Sequence, residues 1–215
     1  MLKGKGSKGL GWRWIGMERK GKVFHKGLPF GEKQKMKQIK VSIKGVAPLL
    51  QHKMSLEQEA QLASKTKKRD GQAKGDNPED YLYVVDGKVC QPAEHIIQAI
   101  VKRLSNYKIQ GKGKKTYKEM GQGGLNIVPE FIEHKNQKWV VDSRTVVIPA
   151  TRGRAVRLRP KFEEWELDFT IEVINDDLPV EVIKSALDDA GREGGIGDYR
   201  PRFGRFIVTS FKEVI

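Results

Sequence analysis

Residues Gln38–Lys44 alternate strictly, with Ile39, Val41 and Ile43 on one side and Lys40, Ser42 and Lys44 on the other. That period of two marks a strand with one buried and one wet face. Residues 164–174 repeat it over a longer run: Trp165, Leu167, Phe169, Ile171 and Val173 against Glu164, Glu166, Asp168, Thr170 and Glu172. Elsewhere the period changes to that of a helix. Ile96, Ile97, Ile100, Val101 and Leu104 recur behind Pro92, and Val182, Ile183, Ala186, Leu187 and Ala190 behind Pro179. A proline suits the start of each helix, and Gly191 stands where a C′ glycine would end the second. The β-branched run Trp139–Ile148 predicts another strand and Phe206–Thr209 the last one. Tyr81–Val89 predicts a hairpin turning at Asp86-Gly87.

In chain order these elements read strand, helix, two strands, helix, strand. They predict an α+β fold of the ferredoxin-like βαββαβ (RRM-like) plan, an antiparallel sheet with both helices on one face. First and third strands are neighbours in that plan, so Lys40 and Lys44 should meet Glu164, Glu166, Asp168 and Glu172 across the open face. Carboxylates in place of exposed aromatics make that face a poor platform for stacked bases. Arg157 and Arg159 precede a turn at 160–163 and have two readings, as partners of Glu164 and Glu166 across a hairpin or as phosphate contacts.

The charge is distributed unevenly. Of a formal net +14 over 215 residues, +10 falls in residues 1–40, where twelve Lys and Arg face only Glu18 and Glu32. A basic N-terminal extension over 1–36 is therefore expected ahead of a body over 37–215, with a flexible polar insertion at about 55–80 and a short helix near 56–63. Such arms commonly neutralise polyanions, and Trp12, Trp14 and Phe24 set this one apart from a merely solvating tail. Arg13 and Lys20 are its candidate phosphate contacts. No stretch approaches 18 apolar residues, so no membrane association is expected. A single cysteine, Cys90, excludes an internal disulfide or a cysteine-rich zinc site and suits a reducing, cytoplasmic setting.

No metal or cofactor is expected either. His25, His52, His95 and His134 lack metal-ligand spacing. Gly111–Thr116 lacks the P-loop spacing, and Gly194, Gly195 and Gly197 lead into a strand where a dinucleotide fingerprint leads into a helix. The informative residues are instead basic and glycine-rich. Three clusters stand out: Lys112, Lys114, Lys115 and Lys118; Arg152 and Arg154; and Arg192, Arg200, Arg202 and Arg205. The last lies with Gly195, Gly197, Tyr199 and Phe203, which add close backbone approach and stacking surface to charge. Any one cluster is explained by a solvated loop; three together with a basic arm point to nucleic acid. His95, at a helix start, and His52 are weak catalytic candidates, as general bases for metal-independent RNA cleavage.

Two segments carry a family resemblance. Val89-Cys90-Gln91-Pro92-Ala93-Glu94-His95-Ile96 and Gly194-Gly195-Ile196-Gly197 through Gly204-Arg205-Phe206 resemble the RAMP superfamily, the ferredoxin-like RNA-binding subunits of CRISPR effector complexes. The first is similar to that family's passage from strand through proline into first helix, the second to its glycine-rich loop before the last strand. The resemblance implies guide-RNA contacts for Arg200, Arg202, Arg205 and the neighbouring glycines, and a non-catalytic backbone subunit that assembles with copies of itself or other effector subunits. The chain is also similar to uncharacterised phage and mobile-element proteins. The alternatives are thus a single-stranded DNA-binding or annealing protein, and a RAMP-type RNA-processing endonuclease.

Overall fold

The computed structural model describes residues 36–54, 77–147 and 152–214. Arg13, Lys20 and the rest of the expected N-terminal extension lie outside the described residues, as do most of the 55–80 insertion and its expected helix. The described residues form an α+β fold with antiparallel sheets and three helices. None of these helices is long and apolar enough to cross a membrane.

The principal sheet has four strands: β1 (Lys37–Gly45), β5 (Leu125–Val128), β9 (Glu166–Val173) and β10 (Phe206–Val214). Their order is β10-β1-β9-β5, every neighbour antiparallel. Ile39, Val41 and Ile43 of β1 and Leu167, Phe169, Ile171 and Val173 of β9 are buried. They join Ile96 and Ile100 of α1 (Ala93–Leu104) and Ile183, Ala186 and Leu187 of α3 (Val180–Asp189) in one apolar cluster. The opposite face carries the polar half of each alternation. Lys44 meets Glu166 at 3.1 Å, and Lys135 reaches Asp168 at 2.8 Å. Gln38 and Asn126 both donate to Glu172. No aromatic side chain stands on this face of the described strands.

The second strand of that sheet is not the expected one. Trp139–Ile148 does contain a strand, β7 (Val140–Val147), but it pairs with β8 (Arg154–Phe162) in a separate sheet that includes β2 (Leu49–Leu50). The place beside β9 goes to the short β5, delivered by α2 (Lys118–Gly124). Glycines make poor helix formers, yet here they permit close packing. A methyl at Gly124 would sit 2.7 Å from Asn175 Cβ, and one at Gly121 would strike Leu104. Arg157 and Arg159 consequently face Arg144 and Asp142 across the β7–β8 hairpin, not Glu164 and Glu166. A third sheet joins β3 (Val84–Val85), β4 (Lys88–Pro92) and β6 (Phe131–Glu133). Its hairpin turns at Asp86-Gly87 as expected, both residues at positive φ.

Buried polar side chains tie the second and third sheets together. Gln51 follows β2 and is 1% exposed. Its Nε2 donates to Cys90 O at 2.8 Å and to Gln91 Oε1 at 3.1 Å, while its Oε1 accepts from Tyr83 N at 3.2 Å. Its backbone N donates to Pro160 O. His134 lies 3.4 Å from the same Nε2 and stacks on Phe162. Burial pushes the His134 pKa down to about 4. The folded protein therefore resists a proton that the unfolded chain accepts near the ordinary value of 6.5. The His134 contribution to stability is full above that pH, falls as pH drops toward 4, and levels off below, a loss of about 3 kcal/mol. Urea unfolding at pH 7, 5.5 and 4 checks this: the decline should be clearly shallower in His134→Gln than in the parent protein.

Candidate nucleic-acid interface

The glycine-rich segment begins where α3 ends, and it does not begin at a C′ glycine. The chain passes Gly191 in helical conformation and makes one wider π turn over Ala190–Gly194. Gly191 is required for packing instead: an added methyl would strike the Phe206 carbonyl and lie 2.8 Å from its ring. Positive φ falls at Gly195, Gly197 and Gly204. There the backbone runs hard against other backbone, an added Cβ at Gly197 lying 2.5 Å from Leu50 O and one at Gly195 2.5 Å from Phe203 O. Asp198 N donates to Leu50 O at 2.9 Å, Gly204 N to Pro48 O at 2.8 Å and Ile196 N to Gly204 O at 3.0 Å. Gly195 and Gly197 thus serve the loop's own closure, and its outward surface is made of side chains.

Those side chains rest on the β7–β8 hairpin. Asp142 and Arg144, two apart on β7, share one face of the strand, and Arg144 forks onto both Asp142 oxygens at 2.5 and 2.6 Å. The Arg144 hydrogen bonds hold Asp142 below the usual carboxylate range and raise the guanidinium itself. Arg144 also lies over the Phe203 and Tyr199 rings, 4.6 and 5.2 Å from their centroids. The two rings meet edge to face at 5.9 Å. Tyr199 is held at φ 57, a conformation that costs a non-glycine residue about 1–2 kcal/mol; the ring and cation contacts offset it. Arg159, on β8, has a side chain only 10% exposed and pairs with Asp198 at 2.6 Å. The contact is an ion pair without aligned hydrogen bonds, since Arg159 Nε and Nη1 and Asp198 Oδ2 have none.

Asp142 and Asp198 are thus each engaged by a strand arginine. Arg200, Arg202 and Arg205 are exposed, and none has an acidic partner among the described residues. Arg192 differs, since Asp189 takes it at 2.7 Å and Glu193 at 3.5 Å. Arg152 and Arg154 are exposed, Arg154 as the first residue of β8 and so inside a strand rather than beyond one. Lys112, Lys114 and Lys115 are exposed on a loop closed by a Lys108–Thr116 bridge, and Lys118 opens α2.

The two histidine candidates occupy different settings. His52 stacks on Tyr81, ring centroids 4.6 Å apart. His95 stands in the first turn of α1, its Nδ1 2.5 Å from Gln91 Nε2 and its ring edge-on to Tyr83. Burial first, then the charge of Arg200, push His95 below its ordinary pKa, against a smaller opposing pull from Glu94. Tyr83 is raised by burial and by the charge of Asp198. The loop thereby joins His95 and Tyr83 to its own electrostatics, although they precede it by a hundred residues of chain. Sequence reasoning missed Arg144, Arg159 and Asp198. The Asp142–Arg144 spacing was a signal for the first; nothing local signals that Asp198 closes onto β8.

No family model matches this sequence, and no curated protein does. Among solved structures, a chain from the cryo-EM structure of the Type III-B Cmr-beta bound to cognate target RNA is similar, with a TM-score of 0.47 and 12% identity. The match covers 83% of this chain and 61% of that one, so the present chain spans less than two thirds of that neighbour's length.

Asp198→Asn removes the counter-charge of a nearly buried guanidinium. We expect a loss of roughly 1–3 kcal/mol in urea unfolding, below the usual figure for a buried pair because Asp198 keeps a third of its side chain exposed. A loss within error of zero would show that the loop does not depend on this pair.

Proposed function

We propose that this protein binds single-stranded RNA without cleaving it, through the rim formed by the 195–205 loop. The observation that carries the reading is the unpaired state of Arg200, Arg202 and Arg205 on a backbone fixed by its own hydrogen bonds. Arginine guanidinium groups suit phosphate oxygens, and Tyr199 and the partly exposed Phe203 add stacking surface beside them. Gly195 and Gly197 act by shaping the loop. Arg152 and Arg154 and the lysines at 112, 114, 115 and 118 are further candidate phosphate contacts, as is Arg192 after release from Asp189; Arg13 and Lys20, outside the described residues, remain candidates from the sequence. The four-stranded order, with α1 and α3 against one face, supports a ferredoxin-like frame into which the β7–β8 hairpin and the β3–β4–β6 sheet are inserted.

A single copy offers few phosphate contacts, which favours repeated copies along a strand or assembly with other subunits. That arrangement agrees with the RAMP resemblance of the Gly194–Phe206 segment, under which the bound strand is a guide RNA.

Filter binding of a 12-nucleotide RNA across a salt series tests the reading. Each neutralised phosphate contributes about −0.7 to the log–log slope on a single strand. The triple variant Arg200→Gln, Arg202→Gln, Arg205→Gln should flatten that slope by about 2 and weaken binding at low salt. An unchanged slope would place the binding surface elsewhere, and tighter binding of the matched DNA would move the protein to the single-stranded DNA class.

A further inference from the structure

A second surface, lined by no residue of the 195–205 loop, combines aromatic rings with free lysines. After α1 the chain makes a tight hairpin over residues 107–117. Tyr117 N donates to Tyr107 O at 3.1 Å, Ile109 N to Lys115 O at 2.9 Å, and Lys108 pairs with Thr116. This stem sets two tyrosines side by side, and a cleft of about 530 Å³ opens against them, with Asn106, Lys108 and Gln110 on its walls. Both rings are half-buried. Tyr107 is immobilised, its hydroxyl donating to Asp189 Oδ2 at 2.6 Å. Burial, with Asp189 as acceptor, pushes its pKa up to about 12, so the ring stays neutral. At the tip of the same hairpin Lys112, Lys114 and Lys115 are exposed, with no acidic partner among the described residues.

We infer that this cleft receives one unpaired nucleobase of the bound strand, while the lysines at the hairpin tip hold the adjoining phosphates. The inference rests on the single-strand-binding reading and adds a base-holding subsite to it. A phosphate alone does not account for the place, because two tyrosine rings, Ile109, Val182 and two carboxamides line it beside a single cation, Lys108. A purely apolar partner does not either, because Asn106, Lys108 and Gln110 stand on its walls and the Gln110 carboxamide has no hydrogen bond among the described residues. A nucleotide matches both halves: a flat π face for the tyrosines, polar edges for the amides, and an anion for the lysines. The cleft also falls within the 300–1,000 Å³ range typical of small-ligand sites.

The test is photo-crosslinking of the full-length protein to a 12-nucleotide RNA carrying 5-iodouridine, with mapping of the linked peptide. Linkage at Tyr107 or Tyr117 is expected, together with a fall in affinity of about 5- to 100-fold in Tyr117→Leu. Circular dichroism establishes whether that variant is folded, and Gln110→Ala, at an exposed position, should weaken linkage at the tyrosines without unfolding. RNA that binds but links only at Tyr199 or Phe203 overturns the subsite and leaves the broader reading standing. RNA that does not bind at all overturns both.

Discussion

A guanidinium nine-tenths removed from water needs a counter-charge, and for Arg159 that charge is Asp198. The pairing joins a residue of the β7–β8 hairpin to one of a loop that begins after the last helix, and the rest of the rim is arranged around it. Asp198 is simultaneously fixed from behind, its N–H bonded to Leu50 O. Asp142 is taken by Arg144 in the same way, and the three rim arginines have no acidic partner among the described residues. Acidic residues here thus promote exposure of positive charge: they hold the inner arginines and so cannot compensate the outer ones.

The two broad faces of the molecule behave oppositely in this respect. On the principal sheet, Lys44 pairs with Glu166 and Lys135 with Asp168, whereas Lys40, expected to meet a carboxylate, lies between Thr170 and Lys212 and has no acidic partner among the described residues. Each such exposed pair contributes little to stability. On the 195–205 loop, Arg200, Arg202 and Arg205 have no acidic partner among the described residues. A polyanion therefore meets lysines interleaved with carboxylates on the sheet and arginines without such neighbours on the loop.

How much of this was readable from sequence depended on length and on locality. Gln38–Lys44 and Glu164–Ile174 alternate over enough residues for the period to be unmistakable, and both strands, their adjacency and the Lys44–Glu166 contact follow from it. Leu125–Val128 is four residues long behind a glycine-rich turn of helix, too short for a period to show against the longer β-branched run at 140–147. Gly191 is a glycine for the room it leaves Phe206, and the left-handed turn after the helix falls at Gly195, a distinction that nothing in the local sequence marks. The basic clusters were legible as composition. Which cations have partners was not, since Arg159 and Asp198 are brought together by tertiary folding alone.

The stem at residues 51–54 and 77–83 has one more implication. Lys53 N is bonded to Tyr81 O, and His52 stacks on the Tyr81 ring. Residues 52 and 53, just before position 55, are therefore clasped to Tyr81, just after position 76. Where two ends of a flexible connection are pinned in this way, added length brings only a logarithmic entropic penalty, about 0.6 kcal/mol per doubling. An insertion made between such clasped ends is a small perturbation of the folded remainder.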